Sequence, residues 1–571
     1  MRNHDVADVL REIAGLLEVE GVEYKPRAYR RAARNVEALS EPVEDVAERG
    51  ELESIEGVGD SIAATITTYL DTGEPAELEE LRAAHPLDVE ALTSVEGVGP
   101  RTAERLYEAL GVATLDDLER AAEEGQIAEL EGFGERSQAN VREAVARAKA
   151  NRGRTLLGRA VPVARAIETR LAESDAFGRV DVVGSFRRRR PTVGDVDVLA
   201  TADDPTAAAT AFCEHDDVRE VLARGETRSS VVVSGGLQVD LRIVDESEYG
   251  AALVYFTGSK AHNISLRTRA INRGWKLNEY GLFDVREVGE EGQRVGERIA
   301  SETEAAVYEA LDLAWIAPEL REDTGEIEAA ADDDLPELVE YGSLRGDLQV
   351  HTDASDGAHT VREMAEAADE RGLEYVLLTD HGPNAPVPSR LDEAAFERQR
   401  EAVAAVRDDE AVDVTVLQGV EAEIGADGVD LPDGWVEACD LVVGALHGRP
   451  DDATERLAAA VEGPVDVLAH PTNRLLGERA EIPLDLDRVM AAAGAAGVAV
   501  EVNARPERLD LGWASVKEYR GTVSYVVSSD AHAAGEFDDL DLGVAQARRG
   551  WCEAADVLNT RSLDDLRAFF E

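Results

Sequence analysis

The stretch Val182-Val183-Gly184-Ser185-Phe186-Arg187-Arg188-Arg189-Arg190-Pro191-Thr192-Val193-Gly194-Asp195-Val196-Asp197-Val198-Leu199 decides the reading of the chain. Val182-Val183 reads as a strand, and Gly184-Ser185 as a turn whose N–H groups could hold a triphosphate. Asp195 and Asp197 stand two apart on an expected strand, so their carboxylates share a face, while Val196 and Val198 point into a core. Two carboxylates on one face are a poor structural choice unless a cation sits between them.

A third carboxylate follows. Val231-Val232-Val233-Ser234-Gly235-Gly236-Leu237-Gln238-Val239-Asp240-Leu241-Arg242-Ile243 reads as a hairpin with a Gly-Gly turn. Val239, Leu241 and Ile243 face the core, and Asp240 faces the other side with Arg242. Three aspartates on adjacent strands can hold two Mg²⁺ ions, which activate an attacking hydroxyl and neutralise the leaving group. All-oxygen ligation suits Mg²⁺. The plainer alternative is a surface hairpin with solvated acids. Gly-Ser, the spaced pair and the third aspartate occurring in order favour the metal site.

On the N-terminal side, residues 1 to about 150 read as all-helical and carry an internal repeat. Ile55-Glu56-Gly57-Val58-Gly59, Val95-Glu96-Gly97-Val98-Gly99 and Leu130-Glu131-Gly132-Phe133-Gly134 each open an expected helix. The glycine pair allows a tight turn and bares backbone N–H groups at a helix N-terminus, where a phosphate can sit. The pattern resembles the helix-hairpin-helix motif, which grips DNA backbone without reading sequence.

On the C-terminal side, short apolar runs alternate with amphipathic helical stretches from residue 343 onward, the signal of a parallel α/β architecture. Six of the ten histidines lie there. Five end apolar runs: His351, His381, His447, His470 and His532; Glu421 ends another. With the run at 498–502, seven strand candidates emerge. Polar groups at the C-terminal ends of parallel strands converge on one rim of a barrel. With Asp356, Glu421 and Asp530, those histidines form a metal site, and mixed His and carboxylate ligands suit Zn²⁺, Mn²⁺ or Fe²⁺. So many ligands imply two or three metals, suited to phosphoester hydrolysis by activated water. His359 fits no strand end. Residues 318–342 are acidic without a sustained apolar period and read mainly as a linker.

The 571 residues suffice for several domains, and 44% of them are hydrophobic. The three cysteines, Cys213, Cys439 and Cys552, have no metal-like spacing, and the first ten residues are polar and acidic. A reducing cytoplasmic protein without disulfides, membrane span or signal peptide is expected. The net charge of −59 argues against a nucleic-acid partner at first sight. Only five of the 59 basic residues are lysines, leaving 54 arginines, and the acids are spread through every segment. That pattern fits adaptation to high salt, where self-repulsion is screened. A specifically acidic protein that binds basic partners is the alternative.

Tyr255-Phe256-Thr257-Gly258-Ser259-Lys260-Ala261-His262-Asn263-Ile264-Ser265-Leu266-Arg267 reads as the end of a strand followed by a helix. With this segment, residues 1 to about 317 resemble the family X DNA polymerases. The resemblance implies helix-hairpin-helix domains at 1–80 (lyase-like) and 81–150 (fingers-like), a nucleotidyltransferase palm at 151–254 and a thumb at 255–317. It implies that Asp195, Asp197 and Asp240 bind two metals (Mg²⁺ or Mn²⁺), with Asp240 as base beside the primer 3′-OH. Gly184, Ser185, Arg188 and Gly194 would belong to the nucleotide site, Ser185 and Arg188 on the β and γ phosphates. Tyr255 would sit against the sugar, with Phe256 and Gly258 beside it. Asn263 would touch the incoming base, and Arg267 and the motif glycines the DNA. Lys260 departs from the vertebrate repair enzyme, which has an aspartate there. Thr65 stands where the family's lyase lysine aligns and cannot form a Schiff base; a substitute would have to be Lys25.

Residues 343–571 resemble the PHP (polymerase and histidinol phosphatase) domain, a distorted (β/α)₇ barrel often fused to bacterial and archaeal family X polymerases. Its ligands carry over to His351, Asp356, His381, Glu421, His447, His470, Asp530 and His532, holding Zn²⁺ or Mn²⁺. Gln349 departs from the motif's first His and offers only an amide oxygen. The expected whole is a monomeric, gap-filling polymerase acting on gapped or primer-template DNA with deoxynucleoside triphosphates. Its PHP domain would be a phosphodiesterase, with a small-molecule phosphatase or an inactive module as alternatives.

Overall fold

The computed structural model describes residues 3–571 except 23, 38, 40, 41, 56, 74, 94, 96, 131, 152, 216, 289–291, 388, 410 and 427. The repeat acids Glu56, Glu96 and Glu131 therefore lie outside the described residues. No described helix is long and apolar enough to cross a membrane.

Helices from Asn3–Val19 to Glu135–Asn151 make up the N-terminal part. Apolar residues from Val6 to Ala148 form one cluster, so the repeated units share a core. Gly57, Gly97 and Gly132 have φ of +83°, +87° and +88°, the left-handed turn that a Cβ would strain. Their partners precede the helices Asp60–Thr72, Pro100–Leu110 and Glu135–Asn151.

A five-stranded sheet follows, ordered Val180–Val182, Val196–Thr201, Gln238–Val244, Arg228–Val233, Val218–Arg224. Alternate residues Val196, Val198, Val239, Leu241 and Ile243 are buried against the helices Leu157–Ala172 and Pro205–Cys213. Each such buried aliphatic side chain contributes about 1.5–3 kcal/mol. Beyond the sheet, helices Tyr249–Thr257 and Lys260–Ile271 pack against a small antiparallel sheet of Trp275–Asn278, Gly281–Asp284 and Glu297–Ala300. Tyr255 and Phe256 thus end a helix, where a strand was expected. The run Tyr249-Gly250-Ala251-Ala252-Leu253-Val254 is buried along its whole length, so it carries no period to separate the two.

Seven parallel strands succeed one another in chain order: Gly346–Val350, Tyr375–Leu378, Thr415–Gly425, Leu441–Ala445, Val467–Leu468, Ala499–Asn503 and Tyr525–Ser528. The His351 N–H donates to the Ala531 carbonyl at 2.8 Å and joins the last strand to the first. Tyr375, Leu377, Leu441, Val443, Ala445 and Val467 fill the interior with Leu558 and Leu566. The intervening Val376, Leu378 and Val500 face the surrounding helices. The barrel also completes the palm: Leu509 and Leu542 belong to the palm's apolar cluster.

The acidic segment 318–342, expected mainly as a linker, contains helical turns at Pro318–Leu320 and Glu326–Ala331. Leu320, Ile327 and Ala330 are buried in the same cluster as Leu266 and Leu282. Ile327→Ala is expected to lower stability by about 2–4 kcal/mol, read as a loss in thermal or denaturant midpoint. An unchanged midpoint would return the segment to linker status.

Candidate metal centres

The first centre stands on strand register. Asp197 and Asp240 are direct neighbours on the parallel pair Val196–Thr201 and Gln238–Val244. Asp195, two residues earlier, brings a third carboxylate, and ligand oxygens of all three lie within 4.8 Å of one another. Burial, then Asp195 and Asp240, push the Asp197 carboxyl up to about 6. Burial and Asp240 raise Asp195. Burial raises Asp240 too, but hydrogen bonds from Gln238, Ser230 and Arg228 outweigh it and hold its carboxyl below the ordinary range. Arg228 Nη2 lies 3.1 Å from Asp240 Oδ2, and Gln238 Nε2 donates to Oδ1 at 2.8 Å. These two partners escaped the sequence reading, although Ser230 and Arg228 oppose Asp240 and Arg242 in register. Three crowded carboxylates with oxygen donors only are the donor set a hard divalent cation takes.

Gly184 sits beside this cluster at φ +68°, and a Cβ there would fall on the Asp197 carboxylate. Ser185 follows in the short helix Gly184–Arg187. Arg188 donates from Nη1 to the Thr257 carbonyl at 2.8 Å and from Nε to Glu322 at 3.1 Å. Gly194 lies by Arg154: a Cβ there would be 3.7 Å from its Nη1. Asn263 Nδ2 donates to the carbonyls of Tyr255 (2.7 Å) and Gly258 (3.1 Å), capping the helix end. Gly258 is required there, since a Cβ would meet the Asn263 amide. Phe256 lies under the Arg242 guanidinium at 5.3 Å and against Tyr255. Arg267 Nε donates to the Asn263 carbonyl. Around the repeat glycines, a Cβ on Gly59, Gly99 or Gly134 would meet nothing within 4 Å among the described residues. Among the described residues, no packing contact demands glycine at those positions. Thr65 is buried, and Lys25 Nζ lies 3.7 Å from Glu77, which accepts from Tyr29.

The second centre occupies the C-terminal rim of the barrel. His351, Asp356, His381 and His532 form one possible metal group, and His381, Glu421 and His447 another. His381 belongs to both. Glu421 is the hub: its oxygens lie 2.6 Å from His381 Nδ1, 3.1 Å from His470 Nε2 and 3.5 Å from His447 Nε2. Asp530 Oδ1 lies 3.3 Å from His351 Nε2. His470 and Asp530 thus flank the groups by contacts to Glu421 and His351. Both have positive φ, +25° and +55°, a strained backbone of the kind concentrated at working sites. Gln349 Nε2 donates to Glu421 at 3.1 Å, so the residue in the first histidine's place holds the hub carboxylate. His359 is turned to the Ala534 backbone.

Burial opposes a charge on His381, but Glu421 and Asp356 override it and raise the imidazole to about 11. His470, buried and facing Arg508, falls to about 4. Gln349 Oε1, His351 Nδ1 and His470 Nδ1 are buried with no hydrogen-bond partner among the described residues. Clustered imidazoles, three carboxylates and orphaned buried acceptors fit a divalent metal. Glu423 escaped the sequence reading, although it stands two residues beyond Glu421 on the same strand face. Its carboxylate lies 2.6 Å from His447 Nδ1 and fixes that ring. Arg505 and Arg508, from the loop after Ala499–Asn503, bring guanidiniums within 4.0 Å and 3.6 Å of Asp530. No strand-end pattern announced them.

Comparison with known proteins accords with this geometry. The DNA polymerase beta thumb family matches residues 252–322, and the PHP domain family residues 347–459. A helix-hairpin-helix domain matches 1–75, and a SAM-like helix-hairpin-helix tandem 89–146. The DNA polymerase/3'-5' exonuclease PolX of Bacillus subtilis (strain 168) is 34% identical over 581 residues, covering 100% of both chains. DNA polymerase lambda of Arabidopsis thaliana is 24% identical over 56% of this chain and 62% of its own. A probable phosphatase of Thermoanaerobacter sp. (strain X514) is 32% identical over 28% of this chain and 63% of its own. The chain belongs to the family X DNA polymerases that carry a C-terminal PHP domain.

The sign of the Asp197 shift gives a test. Its folded value, about 6, lies above the ordinary 3.8. Ionising it therefore removes stability as pH rises from about 4 to 6, by roughly 2–3 kcal/mol when complete. Without divalent metal, Asp197→Asn should melt above the parent at pH 7.5, and the gap should close near pH 4. A gap independent of pH would show that burial and the neighbouring carboxylates do not raise Asp197.

Proposed function

We propose that this chain is a template-directed DNA polymerase that fills short gaps during repair, and that its PHP barrel is a metal-dependent phosphodiesterase acting on the same DNA. One observation carries the reading: two separate clusters of side chains that could hold a metal ion, one all-carboxylate and one His-rich, within a chain that aligns end to end with a polymerase/3'-5' exonuclease. In the palm, Asp195, Asp197 and Asp240 would hold Mg²⁺ or Mn²⁺, which supplies charge neutralisation at the transferring phosphate. Asp240, kept ionised by Arg228 and Gln238, would be the carboxylate beside the primer hydroxyl that takes its proton. Gly184, Ser185 and Arg188 would bind the β and γ phosphates, and Gly194 shapes the turn before Asp195. Tyr255 and Phe256 would face the sugar, and Asn263 the base. Gly57, Gly59, Gly97, Gly99, Gly132, Gly134 and Arg267 would touch DNA backbone, the open second glycines letting a phosphate approach the helix N-termini.

In the barrel, His351, Asp356, His381, Glu421, His447, His470, Asp530 and His532 would hold Zn²⁺ or Mn²⁺, which activates water. Gln349 contributes at most an amide oxygen. Removal of 3′ nucleotides and cleavage at abasic sites are the reactions expected there. The domains divide at 80, 150, 254, 317 and 342, with 318–342 packing as part of the thumb. With Thr65 in the lysine's place, no lyase step is assigned to that site. The acid-rich surface is read as adaptation to concentrated salt, and the protein as a cytoplasmic monomer.

The test is a 5′-labelled primer in a one-nucleotide gap, incubated in molar KCl with Mg²⁺ or Mn²⁺. Asp197→Ala should abolish extension, by at least about a hundredfold, and retain shortening of the primer without nucleotides. His381→Ala should do the reverse. Loss of both activities in either variant would contradict two independent centres, and no extension by the parent would defeat the polymerase reading.

A further inference from the structure

The arginines after Gly184-Ser185 are anchored by carboxylates from distant parts of the chain. Arg187 pairs with Glu304 at 2.8 and 3.0 Å. Arg188 pairs with Glu322, an acid of the docked segment 318–342. Glu322 Oε1 also lies 3.5 Å from Arg190 Nη1 and 3.3 Å from Arg549 Nη2. Arg549 is the last residue of the barrel helix Leu540–Arg549. Its side chain is 1% exposed and lies over the Trp513 ring at 5.0 Å, and its Nη1 donates to the Arg188 backbone carbonyl at 2.5 Å. The preceding residue, Arg548, grips Glu319 at 2.8 Å and the Val339 carbonyl at 2.7 Å.

Two features make this more than domain glue. First, one carboxylate faces three guanidiniums, a local excess of positive charge in a chain of net charge −59. Such an excess, partly desolvated, favours an anion. Second, Arg188 keeps donors to spare. A guanidinium has five N–H groups. Two of them are engaged by Glu322 and Thr257, so the fork is held in place with three still available. Burial would raise the Glu322 carboxyl, but Arg188, Arg549 and Arg190 outweigh it and keep it ionised.

We infer that the PHP barrel is a working part of the nucleotide site: Arg549, through Glu322 and the Arg188 carbonyl, fixes the Arg188 guanidinium in the orientation that receives the incoming triphosphate. Arg549 and Glu322 are positioning residues, and the barrel sets triphosphate affinity in the palm without using its own metal centre. This rests on the polymerase reading above.

The test uses the full chain and a one-nucleotide gap, with extension measured against dNTP and against DNA concentration for the parent, Arg549→Gln, Arg549→Lys and Glu322→Gln. Arg549→Gln and Glu322→Gln should each raise the dNTP KM about tenfold, the scale of one charge-assisted hydrogen bond, with kcat and the DNA KM within about twofold. Arg549→Lys keeps the charge but not the planar fork, so it should fall between parent and Gln variant. If Arg549→Gln fails to fold, the other two carry the test. A parental dNTP KM in folded Arg549→Gln or, failing that, in Arg549→Lys and Glu322→Gln overturns the inference, whatever the melting temperature does. Absence of extension by the parent overturns the polymerase reading, and this with it.

Discussion

Crowded, desolvated charge is the constraint from which the rest of this structure follows. Asp195, Asp197 and Asp240 bring their oxygens within 4.8 Å of one another, and on the barrel rim Glu421 is ringed by four imidazoles. The aspartate cluster is unfavourable as bare protein because buried like charges repel, and the rim because several of its buried polar atoms have lost water without gaining a partner among the described residues. They persist because rigid sheets over-determine them. The Asp197–Asp240 pairing is fixed by a six-residue parallel ladder, and the rim by seven strands whose alternate residues are locked into an inner and an outer apolar cluster. The scaffolds hold the charges apart from solvent, and the charges in turn call for cations.

The two centres differ in how they keep ligands ready. In the palm, one aspartate is kept ionised by Arg228 and Gln238, while Asp197 is driven toward the protonated form, so the three identical side chains are not equivalent. In the barrel, the candidate ligands hold one another by mutual pairing. His381 carries the charge that its carboxylate neighbours require, and a metal would have to displace that proton. The palm and barrel are also mechanically joined. Leu509 and Leu542 enter the palm's core, and Arg548 and Arg549 grip the end of the thumb.

What the sequence disclosed was what has short range. The Asp-Val-Asp spacing exposes a shared face because strand period is two, and strand-end histidines expose a rim because every parallel strand ends on the same side. The repeated glycine pairs marked their turns because only glycine takes φ near +85° without strain. What stayed hidden was long-range or pattern-free. The end of Tyr249–Thr257 reads as strand in the sequence because a run buried on every side has no period. Residues 318–342 resemble a linker because acids outnumber Leu320, Ile327 and Ala330, yet these few apolar side chains suffice to dock the segment. Glu322 meets Arg188 across 134 residues and Arg549 across 227, separations that no local pattern encodes. Glu423 is legible by the two-residue rule but is masked by Glu421 beside it.

The metal claim is tested most directly by a calorimetric titration of the metal-free chain with Mn²⁺ in two buffers of different ionisation heat. Two classes of site are expected. One, lost in Asp240→Asn, binds at pH 7.5 without appreciable proton release, because Asp197 is already ionised there. The other, lost in His381→Ala, releases protons as the imidazole is deprotonated. A single class, or two classes that survive His381→Ala unchanged, would contradict the claim that these clusters are held together for metal.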